Sequence, residues 1–333
     1  MSIEKLFFIC FLIVLFLTVL GLRILIPVLR SKKMGQKILE IGPRWHKSKE
    51  GTPTMGGIAF VIASVIVYAV FMLVSYKNVD MKYILCSLNI VVYAILNAMI
   101  GIIDDFAKIR KSKNEGLSPL AKYTFQSIIA ILFLISMRYS VGISTTLFIP
   151  FFNAYVDLGF FYYIIAYFAL CGVVNSVNLT DGIDGLASSV TFTVGIFFMV
   201  VNFIVIKDAN IALFSAILMG STLGFLVYNF YPAKIFMGDT GSLFLGALVI
   251  SMAFLIDNIL LVLVYGFVFI VEAFSDILQV FYFKVTKGKR LFKMAPIHHH
   301  FEKSGFSEIQ IVVTFTIVNA IFCFLAYFGM GNL

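Results

Sequence analysis

Apolar residues in this chain arrive in long unbroken runs, and that feature limits it to one kind of architecture. Ten runs stand out, at about 6–29, 55–75, 83–102, 123–139, 160–178, 188–206, 211–229, 242–256, 259–283 and 310–328. A helix needs roughly 20 apolar residues to cross the hydrocarbon of a bilayer. There every backbone N–H and C=O must be satisfied internally, which for runs of this length means helices. The balance of residues agrees: 61% of the 333 are hydrophobic and only 13% charged, unlike a water-soluble domain. Ten helices use most of the chain, so the sequence predicts one all-α polytopic membrane unit over 1–333. The first run follows Glu4 and Lys5, shows no A-x-A cleavage signal and is long for a signal peptide, so it counts as a helix. Cys10, Cys86, Cys171 and Cys323 all fall inside runs, with neither disulfide nor metal spacing. No internal repeat or low-complexity tract interrupts the pattern.

The net charge of +8 is placed unevenly. Residues 30–54 hold seven Lys/Arg (Arg30, Lys32, Lys33, Lys37, Arg44, Lys47, Lys49), 103–122 hold five (Lys108, Arg110, Lys111, Lys113, Lys122) and 284–303 hold six (Lys284, Lys287, Lys289, Arg290, Lys293, Lys303), with Lys234 between. Loops of the other parity carry few, Lys77 among them. The positive-inside rule then puts both termini outside and the five basic loops in the cytoplasm. This charge fixes topology and meets anionic lipid; nothing in it points to nucleic acid.

The same five loops hold the residues suited to chemistry. NLTDGIDGL (178–186) brings Asn178, Asp181 and Asp184; acids three apart share a face of any helical turn, and a hard, oxygen-ligated cation such as Mg²⁺ would relieve their repulsion. HKSKEGTPTMGG (46–57) offers Lys49, Thr54 and backbone amides at a helix start, where anions bind. The third run ends in NAMIGIIDDFAK, with Asn97, Asp104 and Lys108 on one face and Asp105 about 100° away. Adjacent acids at that helix end oppose the helix dipole, so metal binding or general-base chemistry explains them better than stability does. Lys122 and Gln126 stand one turn apart at the start of the fourth run. In YNFYPAKIFMGDTGSL, Asn229 closes the seventh run, and Asp239 sits in a glycine turn with free amides before the eighth. The ninth run contains Glu272, Asp276 and Gln279; intramembrane acids default to a functional hypothesis. KGKRLFKMAPIHHHFE follows, with His298, His299 and His300 too crowded for a zinc site and better suited to contacting an anion or handling a proton. Residues 142–159, with Pro150 and alternating aromatics, are expected to form a small hairpin on the other side. Together the inner loops describe metal-assisted phosphoryl transfer.

DDFAK, NLTDGIDGL and GDTGSL resemble the polyprenyl-phosphate N-acetylhexosamine-1-phosphate transferases, and GTPTMGG with MAPIHHHFE resembles their phospho-N-acetylmuramoyl-pentapeptide transferase (translocase I) branch. The resemblance implies ten helices, a homodimer in the bacterial plasma (inner) membrane and an active site on the cytoplasmic face. It implies Mg²⁺-dependent transfer of phospho-MurNAc-pentapeptide from UDP-MurNAc-pentapeptide to undecaprenyl phosphate, giving lipid I and UMP. It carries over Asp104 and Asp105 as the essential acidic pair, Asp239 as the metal aspartate, with the pair also counted as metal ligands, and His298 as the functional histidine. Lys49, Thr54, Lys108, Lys122, Asn178, Asp181, Asp184, Asn229, Ser242, His299 and His300 are implied to bind substrate, and the ninth helix to bend beside a lipid groove. Asp276 departs from the pattern. Two alternatives are a UDP-GlcNAc:polyprenyl-phosphate transferase, with the same chemistry on another sugar, and a cation-coupled transporter using Glu272 and Asp276.

Overall fold

The computed structural model describes residues 2–32, 35, 49–75, 80–111 and 116–331. Among them the chain runs α1 (Ile3–Ser31), α2 (Gly57–Ser75), α3 (Met81–Lys111), α4 (Pro119–Ser136), β1 (Thr146–Ile149), β2 (Ala154–Asp157), α5 (Phe160–Thr180), α6 (Leu186–Val201), α7 (Ala209–Asn229), α8 (Gly238–Leu255), α9 (Val262–Tyr265), α10 (Phe267–Val285), α11 (Ile297–Glu302) and α12 (Glu308–Phe328). Nine of these helices are long and apolar enough to cross a membrane. A further apolar pair, Ile259–Tyr265 and Phe267–Val285, meets at 87° and is either a broken span or a re-entrant segment. The protein is therefore a multi-pass membrane protein, with nine such helices among the described residues and the ten expected when the bent pair counts as one span. The basic residues Lys33, Lys37, Arg44, Lys47, Lys77 and Lys113, and His46, lie outside the described residues.

Burial sorts the helices into layers. In α8, 83% of the apolar window is buried, and in α7 78%, against 28% in α1 and α4. The small residues of α7 and α8 let neighbours approach: α1 packs on α7, α3 and α5 on α8, and α12 on α6. Outward-facing apolar residues such as Phe16, Leu73 and Phe324 are what lipid requires.

Where α9 breaks at Gly266, one side chain supplies the missing partners. Asn319 Oδ1 accepts from the Val268 N–H at 3.2 Å, and its Nδ2 donates to the Tyr265 carbonyl at 3.1 Å and to Thr193 Oγ1 at 2.8 Å. The bend thus leaves those backbone groups paired at membrane depth. The expected hairpin is present, with β1 and β2 antiparallel and Ile149 opposite Ala154.

Candidate active site

The acidic pair of α3 meets the start of α8. Asp105 Oδ1 accepts from the Asp239 N–H at 3.1 Å; its Oδ2 accepts from the Thr240 N–H at 3.0 Å and Thr240 Oγ1 at 2.7 Å. GDTGS is therefore the first turn of α8 rather than a turn before it, and its amides are not free: Asp105 caps them from another helix. The third helix likewise continues past the acids to Lys111, because their charges find partners. Asp104 accepts from the Leu117 N–H at 2.7 Å through Oδ1 and pairs through Oδ2 with Lys108 at 2.7 Å.

Asp239 is where the elements converge. Its Oδ2 receives Lys108 at 3.0 Å and Lys122, from the first turn of α4, at 2.8 Å. Its Oδ1 receives Asn178 Nδ2, from the last turn of α5, at 3.0 Å. Asn178 also donates to Ser242 Oγ at 2.8 Å and accepts from Lys122 at 3.1 Å. One oxygen from each of Asp104, Asp105 and Asp239 lies within 4.8 Å of the others. An all-carboxylate set of this size fits a hard cation and not zinc, and the three charges exceed the two lysines beside them.

Beside it lies a second charged centre. Lys49 reaches Asp184 Oδ1 at 2.7 Å and Glu308 Oε2, in the first turn of α12, at 2.5 Å. Asp184 Oδ2 also accepts from the Ala233 N–H at 2.9 Å, and Glu308 from the Asp184 N–H at 3.1 Å. Residues 181–185 form a turn, not a helical turn, so Asp181 and Asp184 are not set on one helical face. Gly185, at φ 81°, is part of the reason: the chain reverses there in the left-handed region that glycine tolerates. Asp181 has no side-chain partner among the described residues. Its burial, with the carboxylates of Asp239, Asp105 and Asp184 nearby, holds its carboxyl well above the usual range.

The segment with Thr54 joins this end through its backbone. Phe236 N–H donates to the Pro53 carbonyl at 2.8 Å, and the Gly56 N–H donates to the Phe236 carbonyl at 2.9 Å. Gly57 lies so close to Gly241 that a Cβ there would collide with its backbone, which is why both positions are glycine. Asn229 donates to the Ile235 carbonyl at 2.9 Å and accepts from the Gly185 N–H at 3.0 Å; both its polar groups hold backbone.

The histidines stand on α11, a short helix rather than an open loop. His298 is buried, its Nδ1 2.9 Å from Glu272 Oε2 of α10. His299 pairs with Glu302 at 2.6 Å, and His300 Nδ1 accepts from the Lys293 N–H at 3.1 Å.

Sequence comparison decides the family. The profile of glycosyl transferase family 4 matches residues 87–257. Signature 1 of phospho-N-acetylmuramoyl-pentapeptide-transferase matches 49–61, the stretch of Lys49 and Thr54. The phospho-N-acetylmuramoyl-pentapeptide-transferase of Clostridium kluyveri is 45% identical over 322 residues, covering 96% of this chain and 98% of its own. Those of Clostridium acetobutylicum and Listeria monocytogenes are 44% and 42% identical, each over 92% of this chain and 93% and 92% of theirs. The chain belongs to the phospho-N-acetylmuramoyl-pentapeptide-transferase family.

Within this transferase, the structure divides residues that the sequence treats as one group. Asp104, Asp105, Asp239, Lys108, Lys122, Asn178 and Ser242 form one connected centre. Lys49 and Asp184 belong to the neighbouring ion-pair centre, and His298 to a third, on Glu272. Glu308 is the residue missed by sequence reasoning; its only signal is an acid in the first turn of a helix, shared with many simple capping acids. Gln279 accepts from the Leu291 and Phe292 N–H groups at 3.1 and 2.9 Å, pinning the loop that leads to α11. Asp276 is half-buried, and nothing in the structure explains it.

Proposed function

We propose that this transferase moves phospho-MurNAc-pentapeptide from UDP-MurNAc-pentapeptide to undecaprenyl phosphate, at the cytoplasmic face of a bacterial plasma membrane, and works as a homodimer. The observation that carries this reading is the trio of carboxylates with two lysines and an asparagine on the central aspartate, at one end of a lipid-embedded bundle. The sugar-bearing phosphorus of the donor passes to an oxygen of the lipid phosphate, by direct attack or through an aspartyl intermediate, as its bond to the bridging oxygen breaks and UMP leaves. Asp104, Asp105 and Asp239 would hold Mg²⁺, which when bound neutralises charge on the pyrophosphate. Lys108 and Lys122 add positive charge at the same place, and Asn178 fixes Asp239 between them. Asp104 or Asp105 is the proton acceptor for the lipid phosphate; Asp105 is held by the amides of α8, and Asp104 by the Leu117 N–H and Lys108.

UMP release by the purified protein, with undecaprenyl phosphate and Mg²⁺, tests the reading. UMP from UDP-MurNAc-pentapeptide and not from UDP-GlcNAc, lost on chelation, is expected. UMP from UDP-GlcNAc alone would move the protein to the sibling chemistry, and none from either would reopen the transporter alternative. Asp239→Asn should lose most activity and change the Mg²⁺ dependence; full activity with an unchanged dependence would refute the metal assignment. Light scattering of the detergent complex tests the homodimer.

A further inference from the structure

Glu272 and His298 are both fully buried, and each keeps one polar atom without a partner: Glu272 Oε1 and His298 Nε2. Stability does not account for the pair. Apolar residues of similar volume in place of a buried ion pair are often neutral or stabilising, and an acid inside a membrane span is costly. The surroundings are built around it. Ser275 Oγ donates to the Glu272 carbonyl at 2.7 Å, and one turn on, Gln279 pins the loop that precedes α11. On the far side of the ring lies Gly182, between Asp181 and Asp184; a Cβ there would collide with Nε2 and Cε1. Gly182 is not in the left-handed region, so it is the imidazole and not the backbone that excludes a side chain.

We propose that Glu272 is a positioning residue for His298: it fixes the ring and its tautomer so that Nε2 faces the Asp181–Asp184 turn. A carboxylate only accepts hydrogen bonds, so the shared proton sits on Nδ1 and Nε2 is the open nitrogen. The inference rests on the proposed transferase reading only in assigning the turn to substrate; the placement of the ring does not depend on it.

Glu272→Gln separates positioning from packing. The amide has the same shape and keeps a hydrogen bond to Nδ1, so a packing role tolerates it. An amide also donates, which allows the proton to move to Nε2. Outer partners that orient metal-bound histidines are worth about 10–100-fold, which sets the scale for this pair. The expected result is kcat for UMP release lowered about 10–100-fold with unchanged melting temperature, and no further loss when Glu272→Gln is added to His298→Ala, since residues acting as a unit are non-additive. A second readout needs no turnover. The protein has four histidines, so ¹⁵N-histidine spectra, assigned with His298→Ala, report which nitrogen of His298 carries the proton. The parent should show a single Nδ1–H form, and Glu272→Gln a mixture or the Nε2–H form. Full kcat in Glu272→Gln, multiplicative losses in the double variant, or an unchanged spectrum would each overturn the proposal. If the parent releases no UMP from any donor, the transferase reading fails while the spectra still decide the positioning.

Discussion

Lys49 lies at the start of the family signature, yet the structure gives it a mechanical task, and the two roles predict different outcomes. Its ammonium sits 2.7 Å from Asp184 and 2.5 Å from Glu308, with the three side chains 14%, 2% and 9% exposed. The lysine thereby joins the entry to α2, the turn 181–185 and the start of α12. Lys49→Met keeps the length of the side chain and leaves two buried carboxylates facing each other. Removing one partner of a buried pair costs about 3–5 kcal/mol, and the residual exposure of Lys49 puts this case at about 3. At roughly 2 °C per kcal/mol for a chain of this size, the melting temperature should fall by about 6 °C. The assay is thermal unfolding in detergent at one fixed scan rate, since unfolding of such proteins is commonly irreversible. The triple variant Lys49→Met, Asp184→Asn, Glu308→Gln should recover most of the loss. Asparagine can still accept from the Ala233 N–H and glutamine from the Asp184 N–H, with no unpaired charge left. If Lys49→Met melts within about 1 °C of the parent, the clamp is refuted and any loss of activity comes from a substrate contact.

Asp181 and Asp208 give two further predictions. The raised pKa of Asp181 means that folding takes up a proton at this residue. Stability is then greatest below the ordinary aspartate value of about 4 and falls as pH rises from there towards the folded pKa. Asp181→Asn should therefore melt higher than the parent at neutral pH, with the gap closing near about pH 4; a gap independent of pH would refute the assignment. Asp208 caps α7 at the end remote from the acids, accepting from the Asn210 and Ile211 N–H groups at 2.8 and 3.0 Å. Asp208→Ala should cost about 1–2 kcal/mol in thermal unfolding, and UMP release by the protein that remains folded should be unchanged.

The hydrophobic runs made the spans legible, because a bilayer leaves an apolar chain few choices. Their ends were less so. The third helix was expected to end in NAMIGIIDDFAK, at Lys108, and runs on to Lys111, with Lys108 and the amides of α8 meeting its acids. GDTGSL was expected to be a turn with free amides and is helical because Asp105, 134 residues away along the chain, caps it. Local sequence cannot reveal a cap supplied by another helix. NLTDGIDGL fails as a helical pattern for a nearer reason, the left-handed Gly185.

The candidate site shows the same division between what spacing can and cannot tell. Asp104, Asp105, Asp239, Lys108 and Lys122 could be picked out by type, and the structure brings them together; which acid is an open ligand and which a helix cap depends on who donates to it. Glu272 was visible as an acid inside a span but lacked a partner within its own helix; that partner, His298, arrives on α11 after a loop that Gln279 pins. Gly182 reads as turn punctuation until His298 is seen lying against it. Lys49, read as an anion-binding lysine, is also closed on two carboxylates. In each case a motif suited to chemistry is also a joint between helices. Substitutions here should therefore shift folding and turnover together. A loss of activity alone does not assign a role, and only melting temperature and kcat measured on the same variant separate the two.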